Sequence, residues 1–452
     1  MFFVIAFLTT ARFRLMPLPP WTIELIRRGI TDVARKASEP ETLEKLKTQA
    51  TEILQDLPET AARGLNAVMR KAESGKESVQ RWTRKQTAIA IPMINASGLL
   101  MHVEGTGVPL SQTAIDAGYD LLRGDCVQGD QQHTKLARKL ERLLPAGGDF
   151  SIAIANSFPA ALTAFSQLVQ DRPLVIHRSH AVRLPSGPSG GLPLPDAFGT
   201  LLPVIQEVGS IGDVSASDYD SFESFCDIVA DVGKDEVKLL DFGNRSAMQA
   251  VVLPVATLAQ TDRYSVPSAE AFLTQGVDFV LMPGDGVCGG PSCGLLIGRR
   301  KALETITSSP AWPALTASES VQAMMIVALE TAAANADLIP VHALLDTSVE
   351  NLSGRAARMA TRMAGSDDVA DCQVTTDDAK LTAGGRWSVP SRQLRLRHRN
   401  LAPQAWAEKL ANDVPAVIVT VDGDQVVVDL RWIDSANDNQ LAKTLGGAVE
   451  ST

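Results

Sequence analysis

The sequence predicts an α/β protein: a doubly wound, mostly parallel sheet (residues 93–312) preceded by a helical N-terminal domain (17–92) and followed by a small α+β domain (313–452). Three observations predict this. Apolar residues at helical spacing fill the first segment, short apolar runs alternate with helical stretches in the middle, and a hairpin pattern closes the chain.

In the first segment Ile23, Ile26, Ile30 and Val33 recur on one helical face. Ser38 and Glu41 have capping-box spacing, with Pro40 in the first turn, ahead of Leu43, Leu46, Ile53, Leu54 and Leu57. From Met93 the pattern changes. Ser151–Ala155, Leu174–His177, Leu202–Val208, Val237–Phe242, Ala250–Val255 and Val277–Met282 read as buried strands, with helices expected over Ala160–Val169 and Ser268–Gln275. Strands alternating with helices imply a parallel sheet, whose ligands bind beyond the carboxyl ends of the strands. Pro185–Pro195, rich in Gly, Pro and Ser, reads as a loop. Further on, Val321–Leu338 reads as a long helix, Leu394–His398 as a strand and Pro403–Leu410 as a helix. Val417–Val421 and Gln425–Leu430 flank Asp422-Gly423-Asp424, a hairpin signal because glycine tolerates positive φ.

The 452 residues carry a net charge of −10, which argues against a protein that coats nucleic acid over its whole surface. The charge is uneven. Residues 1–90 hold 15 Lys+Arg and 10 Asp+Glu, a balance of +5, which leaves −15 for the rest. Such a front end suits either a local anionic partner or an ordinary solvated helical surface. The five cysteines are odd in number and scattered, as expected of a reducing, cytoplasmic setting. Cys288 and Cys293 have no Cys/His pair nearby, so no metal site is expected. Phe2–Leu8 is too short to span a membrane and is followed, not preceded, by Arg12 and Arg14; Met16 is an alternative start. No other run is long and apolar enough for a membrane helix, so no membrane partner is expected.

Several segments form a collinear series: Ile94-Asn95-Ala96-Ser97-Gly98, His102, Pro109-Leu110-Ser111, Gly276-Val277-Asp278, Gly284-Asp285, Gly289-Gly290-Pro291 with Gly294, Gly384-Gly385 and Asp429-Leu430-Arg431. In this order they resemble the bacterial selenocysteine synthase family, the L-seryl-tRNA(Sec) selenium transferases. The resemblance implies the aminotransferase-like fold of type I pyridoxal-phosphate enzymes, and conversion of seryl-tRNA to selenocysteinyl-tRNA with selenophosphate. It also implies a helical N-terminal domain (here residues 17–92) contacting tRNA, and a homo-oligomer.

The same resemblance places Gly286 where the family carries the lysine that forms the Schiff base with pyridoxal phosphate. The next lysine, Lys301, lies beyond the following apolar run. The family's anion-binding arginines fall on Gly107, Pro313 and Thr316, and the acidic partner of the cofactor ring is missing at Pro254-Val255. The resemblance keeps Asn156 and Ser157 at the helix start that would hold the cofactor phosphate, where a plain helix cap is the alternative. Arg178 matches a family arginine at the next strand end, while His180 departs from the family motif there and is either a pocket residue or merely a strand-end one. Asp285 either lines the pocket or caps the glycine turn. His133 matches a family histidine or is a surface residue at a helix start. Three functional readings follow: a non-catalytic homologue, assembling with itself or an active paralogue; a transferase of altered mechanism, using noncovalent cofactor or Cys288 as nucleophile; and an RNA-binding protein acting through residues 17–92.

Overall fold

The computed structural model describes residues 91–101, 108–124, 135, 138–145, 149–169, 172–181, 183–184, 192–199, 205–231, 237–261, 263, 265–382 and 387–446. The expected helices of residues 17–90, with their basic residues and the Met1 or Met16 start, lie outside these, as do His102, Gly107, His133, Gly384 and Gly385.

The larger sheet has seven strands: β2 (Phe150–Ala155), β3 (Leu174–His177), β4 (Ile205–Val208), β5 (Ser224–Ala230), β6 (Ser246–Val252), β7 (Phe279–Pro283) and β8 (Gly294–Arg299); β1 (Met93–Asn95) lies elsewhere. Their order is β2-β8-β7-β6-β5-β3-β4. All pair in parallel except β8, which runs antiparallel to both β2 and β7. Alternate side chains divide between two cores. Ile152, Ile154, Val280, Met282, Leu295 and Ile297 face the buried side of α4 (Glu319–Ala334), through Met325, Ile326 and Leu329. Ala153, Phe279, Leu281 and Leu296 face α1 (Phe158–Leu168) and α3 (Arg300–Thr307). Burial on both faces explains the near-continuous apolar runs. The helix expected at Ser268–Gln275 is α2 (Ala269–Thr274), with Ser268 as its N-cap accepting from Ala271 N–H.

The second sheet is antiparallel, β9 (Val369–Thr375), β10 (Gln393–His398), β13 (Gln425–Asp429) and β12 (Thr420–Asp422) in that order. One face packs on α5 (Val349–Ala364), α6 (Pro403–Ala411) and α7 (Asp438–Leu445). In β10, Leu394 and Leu396 enter this core while Arg395 and Arg397 face outward and pair with Asp422 and Asp424. Between Asp422 and Asp424, Gly423 takes the positive φ (59°) that the turn needs. The first and last motifs of the sequence meet here. β1 pairs in parallel with β11 (Ala416–Ile418), Asp429 N–H donates to Ala96 O (2.9 Å) and Thr420 Oγ1 to Ser97 O (2.8 Å).

Four expectations need correction. Val237–Phe242 is irregular, because its apolar residues cover the edges of two cores with no ladder partner. The strand beside β3 is instead β5, concealed in sequence by Ser224, Cys226 and Asp227. β6 spans Ser246–Val252 and stops before Pro254, which has no N–H for the ladder. The long helix ends at Ala334, since Asn335 turns extended and its side chain caps a separate 3₁₀ turn. Val417–Val421 is divided between β11 and β12, which join different sheets. Smaller differences are that β4 begins at Ile205, residues 202–204 lying outside the described set, and that a helix, Leu194–Gly199, starts inside the expected 185–195 loop.

β8 packs closely on α1. A Cβ at Gly294 would lie 2.8 Å from Ala161 Cβ and nearer still to the carbonyl oxygen of Ser157. Backbone cannot yield as a flexible side-chain tip can, so Gly294→Ala is expected to destabilise the protein by about 1–3 kcal/mol. Urea denaturation checks this, as a lower midpoint at unchanged m-value.

Candidate functional site

The carboxyl ends of the parallel strands share one edge, where the open end of such a sheet collects loops. Asn156 and Ser157 follow β2, Arg178–His180 follow β3, Asp231 follows β5, and Gly284–Gly290 follow β7. The β7–β8 connection is held by short-range backbone bonds, Gly284 N–H to Cys293 O and Gly290 N–H to Gly284 O (both 2.9 Å). A Cβ at Gly284 would meet Met325 Sδ at 2.7 Å, so these glycines make room for α4.

Gly286 opens the 3₁₀ turn Gly286–Cys288 with φ +65°, a region that side chains disfavour by roughly 1–2 kcal/mol. A Cβ built there points at Met101, whose Sδ, Cε and Cγ are the nearest atoms at 3.2, 3.6 and 3.8 Å. Met101 is held by its N–H to Leu381 O (3.1 Å). Every described lysine is exposed at the surface, and Lys301 begins α3 at the opposite end of β8. Asp285 occupies the N-cap position without a capping bond. Burial raises its pKa, opposed by hydrogen bonds that include one from Ser292.

Ser157 caps α1, accepting from Ala160 N–H at 3.2 Å. Asn156 donates its backbone N–H to Leu315 O (2.7 Å) and its side-chain amide to Ala314 O (3.2 Å). Pro159 has no N–H to offer. Pro313 and Thr316 flank those carbonyls, and neither supplies a cation.

The structure separates Arg178 from His180. Arg178 donates to Gly209 O (2.5 Å) at the outer edge of the sheet and faces Glu207 at 3.8 Å. His180 turns inward. Its Nδ1–H donates to Ala230 O at 3.3 Å, and Nε2 is buried with no hydrogen-bond partner. Burial lowers its pKa below 6.5. His177, unremarked in sequence, is fully buried 6.2 Å from His180, ring to ring, and its Nε2 is 3.5 Å from Asp218. Beside them Tyr219 OH donates to Asp227 (2.9 Å), whose carboxyl burial pushes up to about 6. Nothing in the spacing of Tyr219 and Asp227 signals this pair.

Cys288 is buried and its thiol is pushed up to about 12 by desolvation; Cys293 is raised further. Among the described residues Cys226, Cys288, Cys293 and Cys372 are free, and no group of His, Cys, Asp or Glu is arranged to hold a metal.

A family model described as "SelA: L-seryl-tRNA selenium transferase" matches residues 253–434, which include β7, the glycine loop, β8 and the second sheet. The chain is a distant relative of the L-seryl-tRNA selenium transferases. It is 24% identical to the L-seryl-tRNA(Sec) selenium transferase of Moorella thermoacetica over 445 residues, covering 88% of this chain and 90% of that protein. With the Clostridium botulinum enzyme of the same name the identity is 22% over 377 residues, 75% of this chain and 79% of that one. Among solved structures, D-glucosaminate-6-phosphate ammonia-lyase superposes with a TM-score of 0.55 at 15% identity, covering 80% of this chain and 96% of the other. The fold is therefore the aminotransferase-like one of type I pyridoxal-phosphate enzymes. Among the described residues, no helix of this selenium-transferase relative is long and apolar enough to cross a membrane.

Two outcomes follow from the burial. Because burial lowers the pKa of His180, the unfolded chain takes up its proton first as pH falls, so stability is complete above about pH 6.5 and declines below it. His180→Gln is expected to flatten that decline between about pH 7 and 5 in urea titrations, with the opposing contribution of Asp227 common to both proteins. Cys288 is expected to resist alkylation by iodoacetamide in the native protein and to react once unfolded, as peptide mass mapping would register.

Proposed function

We propose that this selenium-transferase relative is catalytically silent as a pyridoxal-phosphate enzyme and acts through binding and assembly. The observation that carries the reading is Gly286: a residue without a side chain, at φ +65°, occupies the position that the sequence resemblance gives to the family's attachment lysine. A glycine can neither form the imine nor move a proton. The exposure of every described lysine supports this, as does the absence of cations at Pro313 and Thr316, where an anionic selenium donor would be held. Pyridoxal phosphate is then the cofactor of the family and not of this chain. The alternative of an altered mechanism through Cys288 is disfavoured by the burial that pushes its thiol to about 12.

The binding role we assign is to the tRNA named in the relatives' activity, through the basic residues 17–90, within an assembly of this chain with itself or with an active paralogue. Basic residues that neutralise phosphates release counterions, so affinity for tRNA should fall steeply with salt. Filter binding across a salt series checks this, and salt-independent binding would refute phosphate contacts.

Incubation of the purified protein with pyridoxal phosphate tests the catalytic silence. The expected spectrum is that of the free aldehyde, and borohydride should fix no adduct on a lysine of the cleft. A visible-edge imine band that borohydride converts to such an adduct would overturn the proposal.

A further inference from the structure

We infer that the chain has closed the cofactor cleft with its own residues, at the phosphate end and at the lysine end, so that pyridoxal phosphate is refused even as a noncovalent ligand. The inference rests on the catalytic silence proposed above and deepens it: loss of attachment is accompanied by loss of the space and the donors that would receive the cofactor.

At the phosphate end, an anion at the start of α1 requires free N–H groups. Here those of Asn156 and Ala160 are committed. Asn156 N–H is taken by Leu315 O at 2.7 Å, the Asn156 amide by Ala314 O at 3.2 Å, and Ala160 N–H by Ser157 Oγ at 3.2 Å, while Pro159 has none. The covering segment is anchored twice more. Ala317 N–H donates to Ile154 O (3.0 Å), and Trp312 and Leu315 pack on Ala160 and Ala161. Two carbonyl oxygens thus sit beside the helix start, and a phosphate there would meet their partial negative charge. At the lysine end, the direction that a side chain at 286 would take is filled by Met101, whose backbone is pinned to Leu381. Gly286, Val287 and Cys288 of the loop are buried.

The test has two arms. Gly286→Lys is incubated with pyridoxal phosphate, reduced with borohydride and mapped by peptide mass; the expected result is no adduct at residue 286. The unaltered chain is titrated with pyridoxine 5′-phosphate, which has the ring and phosphate but no aldehyde, by equilibrium dialysis. The expected result is no saturable binding tighter than about 1 mM. An adduct at residue 286, or saturable binding of the analogue, would overturn the closed cleft. Should circular dichroism find Gly286→Lys unfolded, the analogue titration of the unaltered chain decides by itself. Binding of the analogue without any adduct leaves the catalytic silence standing and removes only the closure. An adduct on a cleft lysine of the unaltered chain removes the catalytic silence as well.

Discussion

The arrangement of this protein depends on one strand running against its neighbours. β8 is antiparallel to both β2 and β7, and an antiparallel pair can be joined by a short loop where a parallel pair needs a crossover. The connection from β7 to β8 therefore stays at the carboxyl edge, folded on itself between Gly284 and Cys293. That constraint governs composition. Met325 of α4 presses on Gly284 and Gly290, and α1 presses on Gly294, so side chains are excluded at all three for reasons of space. The glycine-rich signature that links the chain to the selenium transferases is thus one that packing alone would maintain. Attachment chemistry imposes no such steric demand, and a lysine can be lost from the loop without disturbing the frame that surrounded it.

A second consequence is electrostatic. A phosphate-bearing cofactor and an anionic donor both need donors and positive charge at the edge of the sheet. In this chain the donors of Asn156 and Ala160 are satisfied internally, Arg178 is turned outward to Gly209, and the positions expected to be arginine are Pro313 and Thr316. What occupies the inner edge instead is a buried group of His177, His180, Tyr219 and Asp227, whose ionisations burial shifts toward the neutral forms.

The closing motif has a structural part to play. Asp429 accepts from Ser391 Oγ (2.7 Å), Gln393 Nε2 (2.9 Å) and Arg431 N–H (2.8 Å), while Arg431 is itself buried and donates to Thr347 O (2.6 Å). The Asp-Leu-Arg sequence ties the second sheet to the segment before α5. Together with β1 and β11 it brings the beginning and end of the described chain into one core, which accounts for motifs three hundred residues apart being kept together.

Much of the frame was legible in the residues alone. Continuous apolar runs announced β2, β3 and β7, and Asp422-Gly423-Asp424 announced its turn, because burial on both faces and positive φ each leave a local mark. β5 was hidden because Asp227 finds its hydrogen-bond partner, Tyr219, through a contact that spacing does not encode, and Val237–Phe242 misled because apolar residues can cover a core without joining a ladder. The sequence by itself determined the fold class, the order of its motifs and the absence of a lysine at 286, all of which are matters of residue identity and period. Only the tertiary structure decided that Met101 stands against Gly286, that Ala314 and Leu315 take the donors of Asn156 ahead of α1, and that Arg178 and His180 face apart. Those are contacts between segments up to 185 positions apart, as with Met101 and Gly286, and they depend on how the layers pack.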